Sequence, residues 1–291
     1  MRRWLRRLGL AVGGLVGLSL LLVVALCVIS YVRQQHVYTL MIPPLAVRTD
    51  SATLERGRHL VTAVGFCTDC HATDLGGKLL GNGFLTVRLA AANLTSGNGG
   101  LGANYTDEDL IRAIRHGVGR DGKSLIFMPA EAFQHMSDAD LAAMIAYLHT
   151  LPPIDRTLPR PRIGPVIRVA HILGFPLLPA EHVDHHATAA SLAPSVSVAY
   201  GAYLANVSGC TGCHGPQLAG GGGPGPNITR GAIGAWTEAD FRHALREGRR
   251  PDGSVLRAPM PWPLFSHMTD DEAAALWLYE RSVPAVTPKA K

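Results

Sequence analysis

The chain has 291 residues, 47% of them hydrophobic, with 27 Lys and Arg against 22 Asp and Glu. Five of the basic residues lie at or before Arg33 and no acid precedes Asp50, so the remainder carries 22 of each sign and the basicity is local. No basic tract is interleaved with aromatics, which excludes nucleic acid as an expected partner.

Arg2, Arg3, Arg6 and Arg7 precede an apolar run from Leu8 to about Val32, uncharged until Arg33. About 20 apolar residues span a bilayer, and flanking arginines stay cytoplasmic. Residues 1–33 are therefore expected to be an uncleaved signal-anchor in a bacterial inner membrane, with the N-terminus cytoplasmic and the rest periplasmic. A cleaved signal peptide is the second reading, since a cleavable apolar region runs only about 7–15 residues. A lipid anchor on Cys27 is the third, and Leu26 is bulky for it. Within the run, Cys27 otherwise reads as a small hydrophobe. Residues 34–50 form a juxtamembrane linker.

Next comes a unit at 51–154. It reads helix, Cys67-Thr68-Asp69-Cys70-His71, a glycine-rich loop, Asn93-Leu94-Thr95, helix, a loop with Met128-Pro129, and helix. Residues 155–194 differ, broken by five prolines from Pro159 to Pro179 and locally basic through Arg156, Arg160, Arg162 and Arg168. This is expected to be an ordered strap between units. The competing reading takes 165–178 as an apolar helix at the membrane surface. A second unit at 195–284 repeats the order, with Cys210-Thr211-Gly212-Cys213-His214, Asn227-Ile228-Thr229 and Met260-Pro261. A tail, 285–291, closes the chain. Thr106 with Asp109, Thr237 with Asp240, and Thr269 with Glu272 have capping-box spacing. Ser137 starts the last helix of the first unit, and Gly117 and Gly248 suit helix ends. No run reads as a sheet.

Cys-x-x-Cys-His is the attachment pattern of a c-type haem. Two thiols on one turn form thioethers to the porphyrin vinyls, and the adjacent imidazole ligates iron. Cys67, Cys70 and His71, and Cys210, Cys213 and His214, are thus expected to bind two covalently attached haem c groups. A zinc ribbon would pair its dithiols at about 15–20 residues, and a thioredoxin-like dithiol would need a βαβ context.

The distal iron ligand is expected from Met128 and Met260, each before proline, where the backbone favours an extended form. Met136 and Met268 stand before helix N-caps and have a packing role there. His135 and His267 recur seven residues after those methionines and are the rival ligands. Methionine would raise the reduction potential. His182, His185 and His186 do not recur and read as a solvated loop rather than a metal site. Asn93 and Thr95, with Asn227 and Thr229, either brace the loop at the haem edge or mark a turn.

These residues resemble a tandem of class I cytochrome c domains over about two-thirds of the chain. The Asn-[Leu/Ile]-Thr, Gly-x-Gly-x2-Tyr-Thr-x2-Asp (Gly-x2-Gly-x-Trp-Thr-x2-Asp in the second copy) and Met-Pro-x3-Phe-x2-Met-[Ser/Thr]-Asp series is similar to cytochrome subunits of bacterial membrane-bound alcohol and gluconate dehydrogenases. The resemblance implies an all-α fold: an N-terminal transmembrane helix, then two cytochrome c-like haem domains, with His71 and Met128 on one iron and His214 and Met260 on the other. It implies single-electron relay from a periplasmic or membrane dehydrogenase or quinol-oxidising complex to a carrier or oxidase. A di-haem peroxidase is the alternative. It needs one displaceable axial ligand, and no acid–base residue unique to one copy stands out. A haem-based sensor is a third reading.

Overall fold

The structure, a computed structural model, describes residues 2–102, 105–187, 191–221 and 223–286. Part of the Gly-x-Gly stretch (103–104) and most of the tail (287–291) lie outside the described residues.

Helix α1 (Arg2–Gln34) is continuous, apolar and long enough to cross a membrane, and its apolar side chains face outward. Only its last turns pack on protein. Ser30, fully buried, shares a hydrogen bond with His171 Nδ1 at 3.0 Å. Residues 35–50 then run without a helix along the first unit, where Ile42, Leu45 and Val47 lean on its core.

In the first unit, α2 (Ser51–His59) continues into a π-helical turn, Leu60–Val64, and α3 (Cys67–His71) holds the first motif. Strands β1 (Lys78–Asn82) and β2 (Val87–Ala91) form a hairpin. Helices α4 (Asp107–His116), α5 (Ala130–Phe133) and α6 (Asp138–His149) complete the unit. Strand β3 (Arg162–Ile163) adds to β2, giving a three-stranded sheet in the order β1-β2-β3. This sheet corrects the all-α expectation. It arises because the chain from His71 to Asn93 is longer than that from His214 to Asn227, and the surplus folds back as a hairpin that the strap then extends.

Described residues of the strap are held by specific side-chain bonds. Arg156 forks onto Asp74 at 2.8 and 3.1 Å. Helix α7 (Pro165–Ile172) lies against α1, and His171 bonds Glu181, which also receives a two-pronged bond from Arg33 at 2.8 Å. The strap is therefore fastened to the first unit and to α1.

The second unit has α8 (Val198–Val207), α9 (Cys210–His214), α10 (Arg230–Ile233), α11 (Glu238–Glu247), α12 (Trp262–Phe265) and α13 (Asp270–Ser282). The three capping boxes form, and Gly117 and Gly248 end their helices in the left-handed region, where glycine carries no Cβ penalty. First and last helices cross in the same way in both units. A Cβ on Gly57 would lie 1.9 Å from the Ala143 carbonyl oxygen, and one on Gly201 would lie 1.9 Å from that of Ala275. Only glycine lets the backbones approach so far.

One apolar core runs through both units. Across their boundary the contacts are reciprocal. His59 reaches Glu272 at 2.8 Å, while Tyr203, at the position equivalent to His59, reaches Asp140, the position equivalent to Glu272, at 2.6 Å. Arg56 donates to Tyr200, its own counterpart, at 3.0 Å. A residue contacting its counterpart's partner in both directions is the signature of a twofold interface, here within one chain.

Candidate functional site

Each Cys-x-x-Cys-His stretch is a single helical turn entered through a left-handed residue, Phe66 (φ 41°) in one copy and Gly209 (φ 71°) in the other. Each is left through a residue with φ near +66° or +84° and ψ near 160°, Ala72 and Gly215. The backbone that follows also repeats. Gly77 and Gly220 donate to the carbonyls of His71 and His214 at 2.8 and 2.7 Å.

The histidines are held alike. Nδ1 of His71 lies 2.7 Å from the Ala92 carbonyl, and Nδ1 of His214 lies 2.7 Å from that of Pro226. A carbonyl only accepts, so Nδ1 carries the proton in both rings. The lone pair is then on Nε2, which makes no hydrogen bond among the described residues. A metal-ligating histidine is oriented by this kind of bond from its other nitrogen. The loop that supplies the carbonyl passes so close that a Cβ on Gly225 would sit 2.7 Å from His214 Nδ1.

Those carbonyls are fixed by the Asn-x-Thr stretches that follow them. Asn93 donates to the Ile154 carbonyl and accepts from the Thr95 amide and hydroxyl. Asn227 does the same with Val286 and Thr229. Their side chains are thereby spent on bracing the loop to the chain beyond the last helix. The positioning carbonyls of Ala92 and Pro226 were not found from sequence. The available signal was the recurrence of Asn-x-Thr one residue later.

No disulfide joins the cysteines. Burial pushes Cys67 up to about 12 and raises Cys70, Cys210 and Cys213. Among the described residues no three His, Cys, Asp or Glu side chains are grouped to hold a metal ion.

Met128 and Met260 are half-buried and packed on the core together with Cys67 and Cys210. Met136 and Met268 are buried, at 0% and 4% exposure, which fits a packing role. His135 and His267 are exposed. His182 and His186 are exposed as well. His185 pairs with His116, their Nδ1 atoms 3.2 Å apart, and burial beside His185 pushes His116 down to about 4. In the first unit Leu94, Leu101, Tyr105, Leu110 and Leu148 line a cavity of about 240 Å³ next to the Asn93 loop. Paired thiols, an imidazole with a free Nε2 and a thioether fit a covalently attached haem.

The two motif turns also meet. A Cβ on Gly209 would lie 3.4 Å from the Phe66 ring, so the residues that precede each first cysteine abut.

Comparison with known proteins gives the same reading. The family described as cytochrome c oxidase, cbb3-type, subunit III matches residues 52–148 and 197–279. The fructose dehydrogenase cytochrome subunit of Gluconobacter japonicus is 27% identical over 83% of this chain and 55% of its own length. The cytochrome c subunit of alcohol dehydrogenase (quinone) of Gluconobacter oxydans is 29% identical over 83% of this chain and 57% of its own. A diheme cytochrome c-type protein of Cereibacter sphaeroides is 29% identical over 79% of this chain and 86% of its own. The chain thus spans little more than half the length of the two dehydrogenase subunits.

Proposed function

Because the chain belongs to the family described as cytochrome c oxidase, cbb3-type, subunit III, we propose that it is a membrane-anchored di-haem relay for single electrons. The observation that carries this is the pair of imidazoles, each fixed at 2.7 Å through Nδ1 and each offering Nε2. His71 with Met128, and His214 with Met260, are the axial ligands, and Cys67, Cys70, Cys210 and Cys213 hold the two groups covalently. Haem iron, when bound, supplies a one-electron couple. The protein's part is to fix ligand orientation and hold the two sites close. The abutting turns at Phe66 and Gly209 favour direct exchange between the sites.

Helix α1 anchors the chain in the bacterial inner membrane, with both sites periplasmic. Phe84 (79% exposed) and Leu85 on the hairpin, with Val166 and Leu173 on and after α7, give an apolar face beside the exit of α1. The donor is a dehydrogenase or quinol-oxidising complex, and the acceptor is a downstream carrier or oxidase. The relatives named as dehydrogenase cytochrome subunits support this.

The test is covalent haem content by pyridine haemochrome. Two groups per chain are expected, and one in each of the double variants C67S/C70S and C210S/C213S. Retention of both groups in either variant contradicts the assignment.

A further inference from the structure

Helix α6 and helix α13 correspond residue for residue, because Ala143 and Ala275 meet Gly57 and Gly201 in the same geometry. Leu148, which lines the cavity of the first unit, therefore corresponds to Glu280. Glu280 is 1% exposed, and neither carboxylate oxygen has a hydrogen-bond partner among the described residues. An acid stands in the second unit where the first has a leucine.

We propose that Glu280 couples proton uptake to reduction of the haem held by the second unit; this rests on the di-haem reading above.

The carboxylate's ion pair is long: Arg281 Nη1, itself buried without a hydrogen bond among the described residues, lies 3.9 Å from Glu280 Oε2. Its Nη2 donates instead to the Gly234 carbonyl, and its guanidinium lies over the Trp277 ring at 4.4 Å. Arg230, on α10, is the other cation facing it. Helices α8 and α11 also pack on α13, but their titratable groups lie elsewhere: Tyr200 bonds Arg56, Tyr203 bonds Asp140, and Arg242 and Arg246 pair with Asp270. His243 pairs with Glu247. An anion buried without hydrogen bonds is costly, and burial raises Glu280 to about 7 despite both arginines.

Reduction of a haem held by the second unit would remove one unit of positive charge there and so raise the proton affinity of the carboxylate further. Glu280 then takes one proton from water and becomes the neutral acid. It returns that proton when the electron leaves. The electron comes from the donor of the relay, and no bond other than the O–H is made or broken. Leu148 gives the first unit no such group.

The experiment is a spectroelectrochemical titration of the haem-loaded full chain at pH values spanning 7, for the wild type, E280Q and E280L. The expected result is one couple whose potential falls as pH rises, toward the limit of about 59 mV for each tenfold change in proton concentration. Both variants lose that slope and keep the other couple as it was. The redox-induced infrared difference spectrum carries a carboxylic acid band that E280Q removes. Persistence of the wild-type slope in E280Q, or no slope in the wild type, overturns the proposal and leaves the relay standing. A wild-type second unit without haem overturns both. E280Q preserves side-chain size, so it reports even where E280L does not fold.

Discussion

Ala72 is held at φ 66°, ψ 163°, a region that is essentially glycine-only, and its counterpart in the second unit is Gly215 at φ 84°, ψ 160°. Such a residue stores about 1–3 kcal/mol of strain, and glycine in its place gives back about 0.5–1 kcal/mol as unfolded-state entropy. Ala72→Gly should therefore stabilise the protein by about 1 kcal/mol, read from the urea midpoint, and Gly215→Ala should destabilise it. The same contrast explains what was legible at this scale. Cysteines and histidines are visible in sequence because the proposed covalent attachment would dictate their spacing. The Ala92 and Pro226 carbonyls are not, since any residue supplies a carbonyl. Glu280 was missed because it stands between Tyr279 and Arg281 in a helix end that reads as solvated, and only packing shows it buried.

The helices were legible because their ends carry chemistry. Thr106, Thr237 and Thr269 accept the amide at N3, and the Asp or Glu there reaches back to the cap. The sheet was not. Leu79 and Leu80 are both exposed, β2 is half-buried along its whole length, and β3 has two residues, so no alternation marks a buried face. Its stability comes from pairing with the strap, a tertiary event. The glycine crossings make a sharper claim. Gly57→Ala or Gly201→Ala places a methyl 1.9 Å from a carbonyl oxygen on the facing helix, whose backbone must retreat. Each should cost about 3 kcal/mol, the upper range for overpacking. Thermal unfolding followed by circular dichroism would check it, and a loss under about 0.5 kcal/mol, the size of an ordinary surface change, would contradict the shared crossing.

At the scale of the whole molecule, the two units are joined by a core and by a buried ionic network rather than by a flexible tether. Burial alone would raise the Glu272 pKa, but the bonds from His59 and the Thr269 amide, with Arg56 nearby, hold it below the usual range. A folded-state pKa below the unfolded one gives stability that is present above the ordinary glutamate value of about 4.3 and lost as pH falls through the folded value. Glu272→Gln keeps the cap but removes the charge, and should cost about 3 kcal/mol near neutrality. It should also flatten the acid limb of stability, measured by urea unfolding across pH; an unchanged limb would place the linkage elsewhere. The network fixes one unit on the other, and with it the separation of the two candidate sites. The central claim is that both irons keep two protein ligands. Its most direct test is the absorption spectrum of the reduced, haem-loaded protein before and after carbon monoxide. The account predicts no change in the wild type and a shifted Soret band in Met128→Ala and Met260→Ala. A shift in the wild type would mean an open or easily opened iron, and would turn the reading toward a peroxidase or a sensor.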